Sequence, residues 1–290
     1  MTSSRIPGDH LPIGAHQSIA GGIPRAVKRG LAAGCRALQI FVKSNRAWAA
    51  REIEEAEMGA FRRAVRGAKL PVAAHASYLI NLAAAAPSMR RRSVQGLTEE
   101  IRRCGRLGIR DLILHPGSHG GDGEAAGIRR LAASLDEAFA RTADVSVRVL
   151  LETAAGQGAS IGHRFEHLRD TLAGIRNEKR LGVCLDTCHV HAAGYDLTSP
   201  EGYAGTIDLL RRTVGLERLR AIHVNDSKNP RGSRVDRHEH IGDGQIGEAG
   251  FRNLMCDPRL RRIPKFLETP KDDNLDFDRK NLATLRRLTV

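Results

Sequence analysis

No apolar run in this chain approaches the roughly 18 residues that a helix needs to cross a bilayer, which excludes a membrane-spanning protein. The first ten residues, MTSSRIPGDH, lack the apolar middle of a signal peptide, so the expectation is a cytoplasmic protein with no membrane partner. Cysteines are few and odd in number: Cys35, Cys104, Cys184, Cys188 and Cys256 are scattered over 290 residues, which excludes a disulfide framework and leaves reduced thiols. No stretch of biased composition marks a linker, so residues 11–290 are expected to form one domain, with 1–10 as a flexible extension. Acids are in deficit, 33 against 46 basic residues, of which 38 are arginine. A formal charge of +13 points toward a polyanion, although arginines on solvated helix faces account for much of such an excess.

Short apolar segments alternate with helical patterns along the whole chain. The segments are LPIGAH (11–16), ALQIFVKS (37–44), LPVAAH (70–75), DLILHPGSH (111–119), VSVRVLLE (145–152), LGVCLD (181–186), LRAIHVND (219–226) and RIPKFLE (262–268). Helical patterns follow them, carrying Pro24 near a first turn, then over 51–68, 88–107, 127–141 and 165–175, after Pro200, and over 277–288. Eight such alternations predict an α/β protein, a single (β/α)8 TIM barrel; a doubly wound open sheet is the competitor, but no GxGxxG follows the first strand.

In such a barrel, the site lies at the carboxyl ends of the strands. The predicted ends are His16, Lys43 or Ser44, His75, His115, Glu152, Asp186, His223 and Glu268. Seven of the eight carry His, Asp or Glu, and a crowd of imidazoles and carboxylates at one mouth calls for bound cations. Mixed nitrogen and oxygen donors suit zinc or manganese better than magnesium or calcium. LDTCH adds His189 three residues past Asp186, and SRVDRHEHIG adds Asp236 and His238, which point the same way if that segment is extended. His240 is left as a surface or supporting residue, His119, His163, His167 and His191 as ordinary structural histidines, and Cys184 as a barrel-core residue. Even without His16, nine donors exceed one ion. Carboxylate-bridged ions are an arrangement for hydrolysing phosphate esters, which fits the basic charge.

At this point the motifs are familiar. ASYLINL after His75, HPGSH, ETAAGQG, GVCLDTCHVHAAGYD, HVNDSK, GSRVDRHEHIGDGQIG and FLETP occur in order from about Ile13 to Pro270 and together resemble the endonuclease IV family of apurinic/apyrimidinic endonucleases. The resemblance implies a DNA-repair enzyme that cuts the backbone 5′ of an abasic site in duplex DNA. The products are a 3′-hydroxyl and a 5′-deoxyribose phosphate, and blocked 3′ ends are cleaned as well.

It also implies a monomer with three zinc ions, manganese or iron being alternative occupants of one position. One ion would take His75, His115 and the bridging Glu152; a second, Glu152, Asp186, His223 and Glu268; the third, His189, Asp236 and His238. Glu152 and Glu268 are the implied catalytic carboxylates, Glu268 orienting the attacking oxygen, while Arg46 in SNRAW and Tyr78 in ASYL match loop residues that enter the minor groove. The chain departs from the family pattern at Ala76, where Asp is common, and at Thr153 and Ala154, where Asn-Thr is common. A sugar isomerase or epimerase of the xylose-isomerase-like barrels shares the architecture but has no need of the third trio, and a non-catalytic barrel binding damaged DNA would bind without cutting.

Overall fold

Apolar strands joined by amphipathic helices bury both faces of a parallel sheet only when helices cover its outside. In the computed structural model, which describes residues 11–289, that requirement is met by closing the sheet on itself. The elements run β1 (Ile13–Gln17), α1 (Ile23–Ala32), β2 (Ala37–Phe41), α2 (Glu55–Ala68), β3 (Val72–His75), α3 (Pro87–Leu107), β4 (Asp111–Leu114), α4 (Glu124–Arg141) and β5 (Arg148–Glu152). They continue through α5 (Phe165–Gly174), β6 (Leu181–Asp186), α6 (Thr187–Ala193), α7 (Pro200–Thr213), β7 (Leu219–His223), β8 (Asp226–Ser227), β9 (His238–Glu239), α8 (Gly247–Cys256), β10 (Lys265–Leu267) and α9 (Asp276–Arg287). Strands pair in the order β1-β10-β7-β6-β5-β4-β3-β2, all parallel and closed into a barrel. The TIM barrel expected from the alternation is therefore the fold. The extension expected at 1–10 lies outside the described residues.

Period-two alternation sorts the strand side chains. Outward-facing residues such as Leu38, Ile40, Leu112, Val149, Val183 and Ile222 pack under the helices. A separate cluster fills the lumen: Ala37, Ala73, Ile113, Leu150, Cys184, Ala221 and Phe266. Cys184 is thus a barrel-core residue, as its alternation suggested, and burial pushes its thiol up to about 11. Gly14 has no room for a side chain, because a Cβ there would lie 1.7 Å from the Ala37 carbonyl oxygen of the neighbouring strand. One alternation further along each strand, the lumen-facing positions become Gln39, His75, Glu152, Asp186 and His223, with His115 and Glu268 just past their strands.

Three elements differ from the sequence reading, the first being α8, a helix the sequence pattern did not show. The segment 219–226 is not one strand: the barrel strand stops at His223, and Asp226–Ser227 pairs antiparallel with His238–Glu239, which carries that part of the long loop back over the mouth. His189 lies not in a loop but in α6, a seven-residue helix whose first turn is capped by the Asp186 side chain accepting from His189 N at 2.8 Å and whose end is turned by Gly194 at φ 112.

Candidate metal centre

Three donor groups meet at the carboxyl end of the barrel. His75, His115 and Glu152 form one; Glu152, Asp186, His223 and Glu268 a second; His189, Asp236 and His238 a third. Within each, one donor atom per residue lies within 4.8 Å of the others. Glu152 is fully buried at the end of β5 and joins the first two groups. Its Oε2 is 3.1 Å from His75 Nε2 and 3.0 Å from His115 Nε2, and its Oε1 is 2.8 Å from His223 Nδ1. The third group adjoins them, with His189 Nδ1 3.4 Å from Glu152 Oε1 and His238 Nε2 3.8 Å from Asp186 Oδ2. Asp236 sits between His189 Nε2 at 3.1 Å and His238 Nε2 at 3.3 Å. All nine residues singled out from the sequence therefore share one bowl.

Hydrogen bonds to backbone carbonyls decide which imidazole nitrogen faces the bowl. A carbonyl oxygen only accepts, so His75 Nδ1 donates to Ala76 O at 2.8 Å, His189 Nδ1 to Thr153 O at 2.8 Å and His238 Nδ1 to Glu268 O at 3.1 Å. Each then turns the Nε2 lone pair of its neutral form toward carboxylate oxygens, and His238 Nε2 is buried without a hydrogen-bond partner among the described residues. Lone pair against lone pair is repulsive unless a proton or a cation lies between them. The donor set therefore fits divalent metal ions, and its mix of imidazole nitrogen and carboxylate oxygen suits zinc or manganese.

The electrostatics agree. Burial lowers His189 and His223, but the surrounding acidic groups, with the Cys184 thiol contributing at His223, outweigh it and leave both well above the usual imidazole value; His238 rises to about 9. Burial raises Glu152 and Glu268, yet neighbouring imidazoles, His223 foremost, hold both well below the usual carboxylate range.

Supporting residues hold this arrangement. Asp186 Oδ1 caps α6 while Oδ2 accepts from Asn225 Nδ2 at 2.7 Å, and Asn225 Oδ1 accepts from Glu268 N at 2.7 Å. Thr153 Oγ1 accepts from Asp186 N at 2.9 Å, so Thr153 ties β5 to the end of β6. With Ala76 beside it, the His75 ring donates its outer hydrogen bond to a backbone carbonyl, not to a carboxylate. Asp226 gathers the returning loop: its carboxylate accepts from the backbone N–H groups of Ser227, Gly242, Gly244, Ile246 and Gly247. Gly244 must be glycine here, since a Cβ would lie 2.5 Å from Ser227 O. Asn225, Asp226 and Gln39 were not singled out from the sequence. Each sits in a segment that reads as plain strand or loop, and only Gln39 carried a signal, a polar side chain at a lumen position.

The exposed residues Arg46 and Tyr78 lie on adjacent loops joined by Ser77 Oγ donating to Asn45 O at 2.8 Å. Tyr78 does not fold back on its own helix-side neighbours; its ring lies 5.5 Å from those of both His75 and His115. Beneath the two loops, buried Glu100 on α3 accepts from Ser77 N and lies 3.7 Å from Lys43 Nζ. A cavity of about 270 Å³ opens beside the bowl, with Tyr78, Asn81, His115, Ala154, His189 and Asp236 among its walls. His240 stands apart, bonded to Asn281 Nδ2 at 3.0 Å and edge-on to Phe277. Glu124, His163 and His167 form a further trio at the rim. There His167 Nδ1 accepts from Gly162 N, which leaves the proton on Nε2, 3.1 Å from Glu124.

Residues 27–288 match the family model described as "Xylose isomerase-like TIM barrel". The chain is 47% identical over 275 residues to a probable endonuclease 4 of Geotalea daltonii, covering 94% of this chain and 96% of that one. It is also 47% identical over 276 residues to a probable endonuclease 4 of Chloroflexus aggregans, covering 95% and 96%. Among solved structures it is similar to endonuclease IV from Thermus thermophilus, with a TM-score of 0.85 and 40% identity over 96% of this chain and 98% of that one. A D-tagatose 3-epimerase-like protein, at 15% identity and a TM-score of 0.72, shares the fold alone.

Proposed function

Given that the chain belongs to the endonuclease IV family, a family of metal-dependent hydrolases of DNA phosphodiester bonds that act in repair, we propose that it cuts duplex DNA on the 5′ side of abasic sites. The products are a 3′-hydroxyl and a 5′-deoxyribose phosphate, and the same site cleans blocked 3′ ends. The observation that supports this reading is the Glu152 carboxylate, fully buried with His75 and His115 on one oxygen and His223 on the other, and with His189 of the Asp236 trio against it. Metal ions, three zincs in this reading with manganese or iron as alternatives at one position, would supply a nucleophile near neutral pH and neutralise charge on the phosphate.

The residues do the positioning. His75, His115 and Glu152 would hold one ion, Asp186, His223 and Glu268 with Glu152 a second, and His189, Asp236 and His238 the third. Glu268 is fixed at its N–H, its carbonyl and Oε1, which leaves Oε2 facing His223 Nδ1 at 3.3 Å as the oxygen that orients the attacking group. Tyr78 lines the cavity and Arg46 is exposed on the adjoining loop, and both would enter the duplex as the base-free nucleotide is turned out toward the ions. The test is incision of an end-labelled duplex carrying one abasic analogue. The reading requires a single nick 5′ to the lesion, lost on chelation and restored by zinc; binding that survives chelation with no nick would replace it with a damage-binding protein.

A further inference from the structure

The Gln39 amide, in the middle of β2, is fully buried and touches three residues from three other strands or strand ends. Its Nε2 lies 2.6 Å from Glu268 Oε1 and 2.9 Å from His16 Nδ1, and its Oε1 lies 2.7 Å from His223 Nε2. Chemistry removes the ambiguity of the amide: a carboxylate only accepts, so the nitrogen faces Glu268 and the oxygen faces His223. His223 must then donate from Nε2, which leaves Nδ1 as its only free nitrogen. That nitrogen points at Glu152 Oε1, Glu268 Oε2 and Asp186 Oδ2, at 2.8, 3.3 and 3.7 Å. Both amide hydrogens and the carbonyl are used. The reach is possible because the lumen neighbour of Gln39 on β3 is the small Ala73.

We propose that Gln39 is a positioning residue of the metal centre, committing His223 to bind metal through Nδ1 and Glu268 through one oxygen. The inference rests on the metal reading given above. A side chain that merely filled the lumen would need no such partners, and Met would replace it without effect. A positioning amide predicts otherwise, because outer hydrogen-bond partners of metal ligands contribute about 10- to 100-fold to metal affinity.

The experiment compares the full-length wild type, Gln39→Met and Gln39→Glu by zinc competition against a chromophoric chelator and by 15N-histidine NMR of the zinc-loaded proteins. The wild type should show His223 ligating through Nδ1. Gln39→Met should bind one zinc 10- to 100-fold more weakly and lose the single Nδ1 pattern, whereas Gln39→Glu, which retains the acceptor for His223, should keep that pattern while crowding Glu268 and weakening zinc. Unchanged affinity and an unchanged Nδ1 pattern in Gln39→Met would overturn the inference. If Gln39→Met does not fold, Gln39→Glu decides: His223 bound through Nε2 in that variant overturns it, and retained Nδ1 with weakened zinc supports it. A wild type that binds no zinc would sink the metal reading itself, a failure distinct from one confined to the variants.

Discussion

Asp186 shows how one side chain serves structure and site together. Its Oδ1 caps α6 and its Oδ2 turns into the bowl, so one carboxylate both starts the helix and faces the other donors. Glu152 has no such second duty. Replacing it with Gln keeps its shape but removes the charge that joins two donor groups, and incision should fall at least about a hundredfold, with metal lost from both groups. Intact metal content in Glu152→Gln, measured by elemental analysis, would contradict this. His238 supplies a pH signature. In metal-free protein its folded value of about 9 lies above the ordinary 6.5, so its pairing with Asp236 contributes stability that is fully present below pH 6.5 and lost as pH rises through 9. Thermal melts under chelation should therefore show Tm falling by a few degrees across that window, a trend that His238→Gln makes shallower while the raised His189 and His223 keep the remainder.

At the scale of elements, the third donor group depends on a loop with little regular structure. β9 is two residues long, and Asp226 binds five backbone N–H groups to bring it over the mouth. Asp226→Ala should cost about 2–4 kcal/mol and release the ion assigned to His189, Asp236 and His238. The barrel's far-ultraviolet circular dichroism should be unchanged, and metal counted per chain reads the result. Arg46→Ala, on a loop held from below by Lys43 and Glu100, should weaken duplex binding in fluorescence anisotropy and leave zinc content as it was. A loss of metal would instead make Arg46 part of the centre.

The strand ends were legible in the sequence because period-two alternation stops where a His, Asp or Glu stands, as at His75 and Glu152. Gln39 was not legible, since ALQIF reads as a plain buried strand until closure brings β10 and β7 round beyond β1 to share the lumen with β2. Nor was α6, whose seven residues are too few for a helical period and whose cap is the same Asp186 that marks the strand's end.

For the whole molecule, closure of eight parallel strands brings together donors that stand up to 193 residues apart, from His75 to Glu268. The net charge of +13 belongs to this scale as well, as a field over the surface and not a contact. Affinity for undamaged duplex should drop roughly tenfold between 50 and 200 mM salt for every two phosphates neutralised, with zinc content unaffected. Element-resolved metal stoichiometry on the purified chain reads directly whether these nine side chains hold a cluster of ions: about three divalent ions per chain, dominated by zinc, are expected, and one ion or none after zinc saturation would refute the metal centre.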